Sequence, residues 1–172
     1  MLSTAIMLDR MDAVAAAIAR IRAIEAARGP TPDGLGAILE EMLALAARPE
    51  LFPVETFPAP HGPPPRARRY HLSEDPDGRF SLHLNALSPG VSTPPHDHPG
   101  WAVLVALEGQ ERNRLFDPPR RGEAPVLREE RMVEPGRGLA LPAGAIHAID
   151  IPGPSPARHL HLYGLALERR GG

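Results

Sequence analysis

GVSTPPHDHPGWAVLVALEG, residues 90–109, is the stretch whose reading decides the fold. A proline-rich turn delivers His96 and His98, and an apolar run carries the chain on to Gly109. Residues two apart on an extended strand point the same way, so His96 and His98 can chelate one ion together. The spacing is Gly90-x5-His96-x-His98-x3-Ala102-x6-Gly109. A second cluster, Gly136-x5-Pro142-x-Gly144-x2-His147, offers a third imidazole from a later strand. Glycines at these positions permit the turns that aim the histidines. Neutral imidazole suits iron, nickel, copper and zinc.

The rest of the chain supplies the frame for such a site. Turn signals punctuate short apolar stretches at Asp75-Pro76-Asp77-Gly78, Ser88-Pro89-Gly90, Asp117-Pro118-Pro119, Glu134-Pro135-Gly136 and Pro152-Gly153-Pro154. That rhythm predicts an antiparallel sandwich or barrel, with strands over 79–87, 101–108, 110–116, 125–132, 138–141, 146–151 and 157–167. Upstream, Met7, Met11, Val14, Ile18 and Ile21 recur at helical steps, and the helix should stop at Arg28-Gly29-Pro30. Thr31 as N-cap and Pro32 at the first helical position open a second helix, with Leu35, Ile38, Leu39, Met42 and Leu43 as its stripe. The chain of 172 residues reads as one domain: helical over 1–50, a Pro-rich strap over 51–66, and a β-barrel over 67–172.

Composition excludes several classes. A net charge of −2 gives no reason to expect nucleic acid or an anionic membrane as partner. The chain has no cysteine, which rules out disulfides, zinc–thiolate sites and a cysteine nucleophile. No apolar stretch approaches the length of a membrane span. Asp9, Arg10 and Asp12 in the first Ala-rich stretch argue against a secretory signal, so a cytoplasmic location is the expectation. Oligomeric state is left open, since a homo-oligomer could form through sheet edges or through the helices.

Further candidates follow from alternation. His159, His161 and Tyr163 share one strand face and should line the same cavity as His147. A tyrosine hydroxyl there can donate a hydrogen bond or proton, and a neighbouring histidine can orient it. Either His159 or His161 could instead be the third ligand in place of His147. His83 falls on a face with Ser81 and Asn85, opposite Phe80, Leu82 and Leu84, which places it toward solvent or an interface. Trp101 either walls the cavity mouth or packs beneath the loop.

The two motifs resemble those of the cupin barrels, the double-stranded β-helix or jelly-roll fold, with Ala102 where an acidic ligand often stands and no terminal Asn in the second motif. The resemblance implies a mainly β fold, a cupin barrel preceded by two α-helices. Over residues 66–168 the chain is similar, more narrowly, to the cysteine dioxygenase family of thiol dioxygenases. The residues that carry this likeness are RFSLHLNALSPG (79–90), His96-Asp97-His98, WAVLVALEGQERNRLF (101–116) and HLHLY (159–163). That family implies an Fe(II) centre held by His96, His98 and His147, although nickel or zinc could occupy it in a purified sample. It also implies a small thiol and O2 as partners, and sulfinate as product. His161 and Tyr163 match the last two members of the family's Ser-His-Tyr triad, and His159 stands in the place of the serine. Counted back without gaps from His96, the family's carboxylate-binding arginine falls on Tyr70, with Arg69 beside it. Tyr70, Arg69 and Trp101 are the expected substrate contacts. Another metal-dependent cupin dioxygenase or isomerase, or a non-catalytic cupin that binds a small ligand, is the competing reading.

Overall fold

In the computed structural model, which describes residues 4–166, two helices lie against one face of a β-barrel. Helix α1 (Thr4–Arg28) ends where Gly29 adopts a positive φ of 65°. Helix α2 (Pro32–Ala46) opens on Thr31, whose hydroxyl accepts from the Gly34 amide at 3.1 Å. The stripe of α1 is buried at Val14, Ile18 and Ile21, joined by Ala17. Its first members depart from the expectation: Met7 is 43% exposed and Met11 59%.

Eight strands follow: β1 (Ala67–Ser73), β2 (Arg79–Leu87), β3 (Ala102–Glu108), β4 (Glu111–Asp117), β5 (Val126–Val133), β6 (Leu139–Leu141), β7 (Ile146–Asp150) and β8 (Ala157–Leu165). They form two antiparallel sheets, ordered β1-β2-β8-β3-β6 and β5-β4-β7. Strand β1 is an addition to the sequence reading. Its residues lie largely exposed or half-buried on the sheet edge, so it lacks the apolar alternation that marks the others. The Pro-rich strap is held at its start. Phe52 and Phe57 are buried, and buried Arg158 donates to the Phe52 carbonyl at 2.7 Å.

Register decides which side chains look into the barrel. In β8 the even residues Leu160 and Leu162 join Phe80, Leu82 and Leu84 of β2 and Val103 and Val105 of β3 against the helices. Burying each such side chain contributes roughly 1.5–3 kcal/mol. The odd residues of β8 therefore face the opposite way, into the barrel. His161 is paired with His83 on one side and Leu104 on the other, and Tyr163 with Ser81 and Ala102. The five-stranded sheet is covered on both faces, which explains why β8 is buried from Ala157 to Gly164. Gly109 turns the chain from β3 into β4 with a φ of 74°, and a Cβ there would lie 2.4 Å from the Pro156 carbonyl oxygen.

Candidate metal centre

Backbone pairing sets the centre. His96 and His147 exchange both amide hydrogen bonds, each at 2.9 Å, so the 91–98 segment runs antiparallel beside β7. The Gly144 amide donates to the His98 carbonyl at 3.1 Å, tying the second glycine cluster to the first. His98 thus lies beyond the paired residues, in an extended loop. The three imidazoles converge. Ring centroids are 5.1 Å apart for His96 and His98, 4.5 Å for His96 and His147, and 5.3 Å for His98 and His147.

The donor set fits a metal ion. The Nε2 atoms of His98 and His147 are 3.1 Å apart. Two nitrogens bound about 2.1 Å from one ion at a right angle would stand about 3.0 Å apart. His147 Nδ1 donates to Asn113 Oδ1 at 2.9 Å, and His96 Nδ1 donates to the Pro94 carbonyl at 2.9 Å. Each bond fixes the tautomer and leaves the Nε2 lone pair for the metal. Burial, then the neighbouring imidazoles, lowers the pKa of His147 to about 3. The same causes bring His98 down to about 4. Both rings are therefore neutral near pH 7, the state a metal needs. His96, His98 and His147 each offer a ligand atom within 4.8 Å of the others. Ala102 lies on the barrel wall opposite Tyr163, so that wall position brings no carboxylate.

Tyr163 stands beside this trio. Its ring centroid is 5.2 Å from that of His98, and His161 Nδ1 is 3.3 Å from its hydroxyl. Burial pushes its pKa up to about 12, so it is a proton-bearing phenol. His161 also meets the Asn85 amide at 3.0 Å. His159 is fully buried further along β8, and His159 and His161 group with Glu111 rather than with His96 and His98. The grouping places His147, not a histidine of β8, with His96 and His98.

Three expectations are corrected. Tyr70 faces the helical layer: its hydroxyl donates to the Pro58 carbonyl at 2.8 Å and its ring packs edge-on to Phe57. Arg69, one residue earlier, pairs with Asn85 and so shares the barrel-facing side; its Nε donates to Asn85 Oδ1 at 3.4 Å. Its positive charge acts on His83, His98 and Tyr163. Trp101 packs beneath the loop, against Phe80, with its indole N–H donating to Glu25 Oε1 at 2.8 Å. His83 is buried inside the barrel, with its Nε2 2.7 Å from Ser81 Oγ and its ring 6.0 Å from that of Tyr163.

Sequence reasoning missed Asn113 and Glu111, both fully buried on β4. Asn113 Nδ2 donates to Glu111 Oε1 at 3.0 Å, so the amide links the His147 ligand to a buried carboxyl. Burial raises the Glu111 pKa, but His161, His159 and Asn113 together outweigh this and hold it at about 2. The only signal was a polar Glu111-x-Asn113 alternation at the start of a predicted strand, which reads equally as a wet face.

No protein-family model matches the chain. Among solved structures, the TT1209 protein from Thermus thermophilus is similar at 26% identity and a TM-score of 0.51, over 66% of this chain and 95% of that one. A cupin superfamily protein from Desulfitobacterium hafniense DCB-2 is similar at 19% identity and a TM-score of 0.50, over 67% of this chain and 89% of that one. The fold is a mainly β cupin-like barrel, and within it three histidines are placed to hold a metal ion.

Proposed function

We propose that the protein is a non-haem iron(II) thiol dioxygenase that oxidises a small thiol to its sulfinate. The observation that carries this reading is the convergent trio His96, His98 and His147 with the protonated Tyr163 hydroxyl next to it and no carboxylate at Ala102. Three neutral ligands leave the ion its full charge, which favours an anionic thiolate. They also leave coordination positions open. Iron(II) would supply the site where thiolate and O2 meet. The substrate sulfur loses four electrons, O2 gains four, and both oxygen atoms end on sulfur.

The chain's own residues have separable tasks. Arg69, exposed at the barrel edge with its guanidinium near the site, would anchor a substrate carboxylate. Tyr163 would donate a hydrogen bond toward the reacting sulfur or oxygen, oriented by His161. His159, where the family has serine, is fully buried against Glu111 and supports that wall rather than touching substrate. Ser81 and His83 add a second hydrogen-bonded pair next to Tyr163.

Metal analysis followed by oxygen uptake tests the reading. Iron-loaded protein should consume one O2 per thiol with at least one of cysteine, 3-mercaptopropionate, cysteamine or mercaptosuccinate, yielding the sulfinate by mass spectrometry. No uptake with any of them would turn the assignment to a different metal-dependent cupin reaction or to small-ligand binding.

A further inference from the structure

A second group of metal-ligand side chains lies deeper in the barrel. Glu111 comes from β4 in the three-stranded sheet, whereas His159 and His161 come from β8 in the five-stranded sheet, so the three meet across the interior. Glu111 and His159 are 0% exposed and His161 is 4% exposed. Glu111 Oε2 lies 3.5 Å from His159 Nδ1 and 3.5 Å from His161 Nε2. All three of these atoms are buried without a hydrogen-bond partner.

Those distances are too long for N–H···O bonds, which cluster at 2.7–3.2 Å. They are the separation that a shared ion would impose, because ligands bound about 2.1 Å from one centre at a tetrahedral angle stand about 3.4 Å apart. Three buried ligand atoms that face one another without a hydrogen-bond partner are costly unless something between them satisfies all three. We propose that Glu111, His159 and His161 bind a second divalent cation, with zinc the best match, at a buried site separate from the His96–His98–His147 centre, a water taking the fourth position. Two imidazoles and a carboxylate are zinc's ordinary ligands, and zinc imposes no geometry of its own. The Asn113 amide on Glu111 Oε1 orients the carboxylate, as outer partners do at metal sites. The ion clips the two sheets together.

Occupancy also fixes a proton. With His161 Nε2 on the ion, the ring hydrogen sits on Nδ1, between Tyr163 Oη at 3.3 Å and the Asn85 amide at 3.0 Å, whose oxygen turns to His161 and gives up its 3.4 Å bond from Arg69. The Tyr163 hydroxyl becomes an acceptor from His161, and its own hydrogen is free to point at the first centre. The second site thereby biases the donor direction of the phenol without touching substrate.

Zinc stoichiometry of chelator-stripped, reloaded protein tests this directly. Wild type should bind two equivalents per chain, and a His96→Ala/His98→Ala double variant should keep one. Glu111→Gln should lose one while retaining the first. Cobalt(II) loaded into the double variant should show the intense visible bands of four-coordinate cobalt. A double variant that binds no metal overturns the proposal, as does Glu111→Gln binding as much zinc as wild type. Should Glu111→Gln fail to fold, anomalous scattering from zinc-loaded wild-type crystals decides: a peak among the three side chains supports the site and its absence refutes it. None of these readouts depends on thiol oxidation, so the two assignments stand or fall separately.

Discussion

Tyr163 is held as a phenol by burial and turned toward the histidine trio by the alternation of β8, so its role can be tested by removing one oxygen. Tyr163→Phe should keep its iron and slow turnover by about 100-fold, in the lower range of a positioned proton donor; loss of iron would show a structural role instead. Asn113→Ala removes the acceptor that fixes the His147 tautomer, and should weaken iron binding by about 10- to 100-fold in a chelator competition. Arg69→Ala should raise KM for cysteine by about 10-fold or more and leave cysteamine, which has no carboxylate, unchanged. Equal effects on both thiols would remove Arg69 from the substrate site. The histidine cluster was legible because the glycine spacing around it is a local signal. The barrel-facing residue of β1 was not, because an ungapped count from His96 reaches back across the long β2–β3 connection, and a one-residue shift exchanges the two faces of a strand. Tyr70 and Arg69 are such an exchange.

At the scale of elements, parity and face must be distinguished. Ser81, His83 and Asn85 do share a side of β2, as the alternation shows, but that polar side lines the barrel. The apolar side, Phe80, Leu82 and Leu84, is the one that the helices cover. In a sheet buried on both faces, hydrophobicity marks the packing layer, and the functional interior is the polar one. Helix α1 carries a related lesson, since its sequence stripe is longer than the surface available to bury it. Ile21 is fully buried, whereas Met11 is 59% exposed. Ile21→Ala should therefore cost about 3 kcal/mol in urea unfolding, and Met11→Ala less than about 0.5 kcal/mol. Comparable losses at both positions would mean that the amino-terminal turns of α1 are covered in solution.

Across the whole molecule, a barrel that stores its chemistry as buried neutral histidines should be acid-sensitive when metal-free. Burial lowers His147 to about 3, and His83 and His159 to about 4, against an ordinary value of 6.5. Between pH 6.5 and 4 the unfolded chain takes up protons that the folded barrel refuses, so stability falls as pH falls. The stabilisation is complete above pH 6.5 and is lost toward the folded values. Each such proton contributes a slope of about 1.4 kcal/mol per pH unit. Glu111, held at about 2, acts in the same direction below pH 4.5, where an unfolded glutamate protonates and the buried one does not. Urea midpoints measured in chelator should thus decline steadily from pH 7 to 4.5, and a flat profile down to pH 5 would contradict the burial of these rings. Adding metal should raise the midpoint most near neutral pH. Protons compete with the ion for the same lone pairs, so the gain should shrink as the solution is acidified.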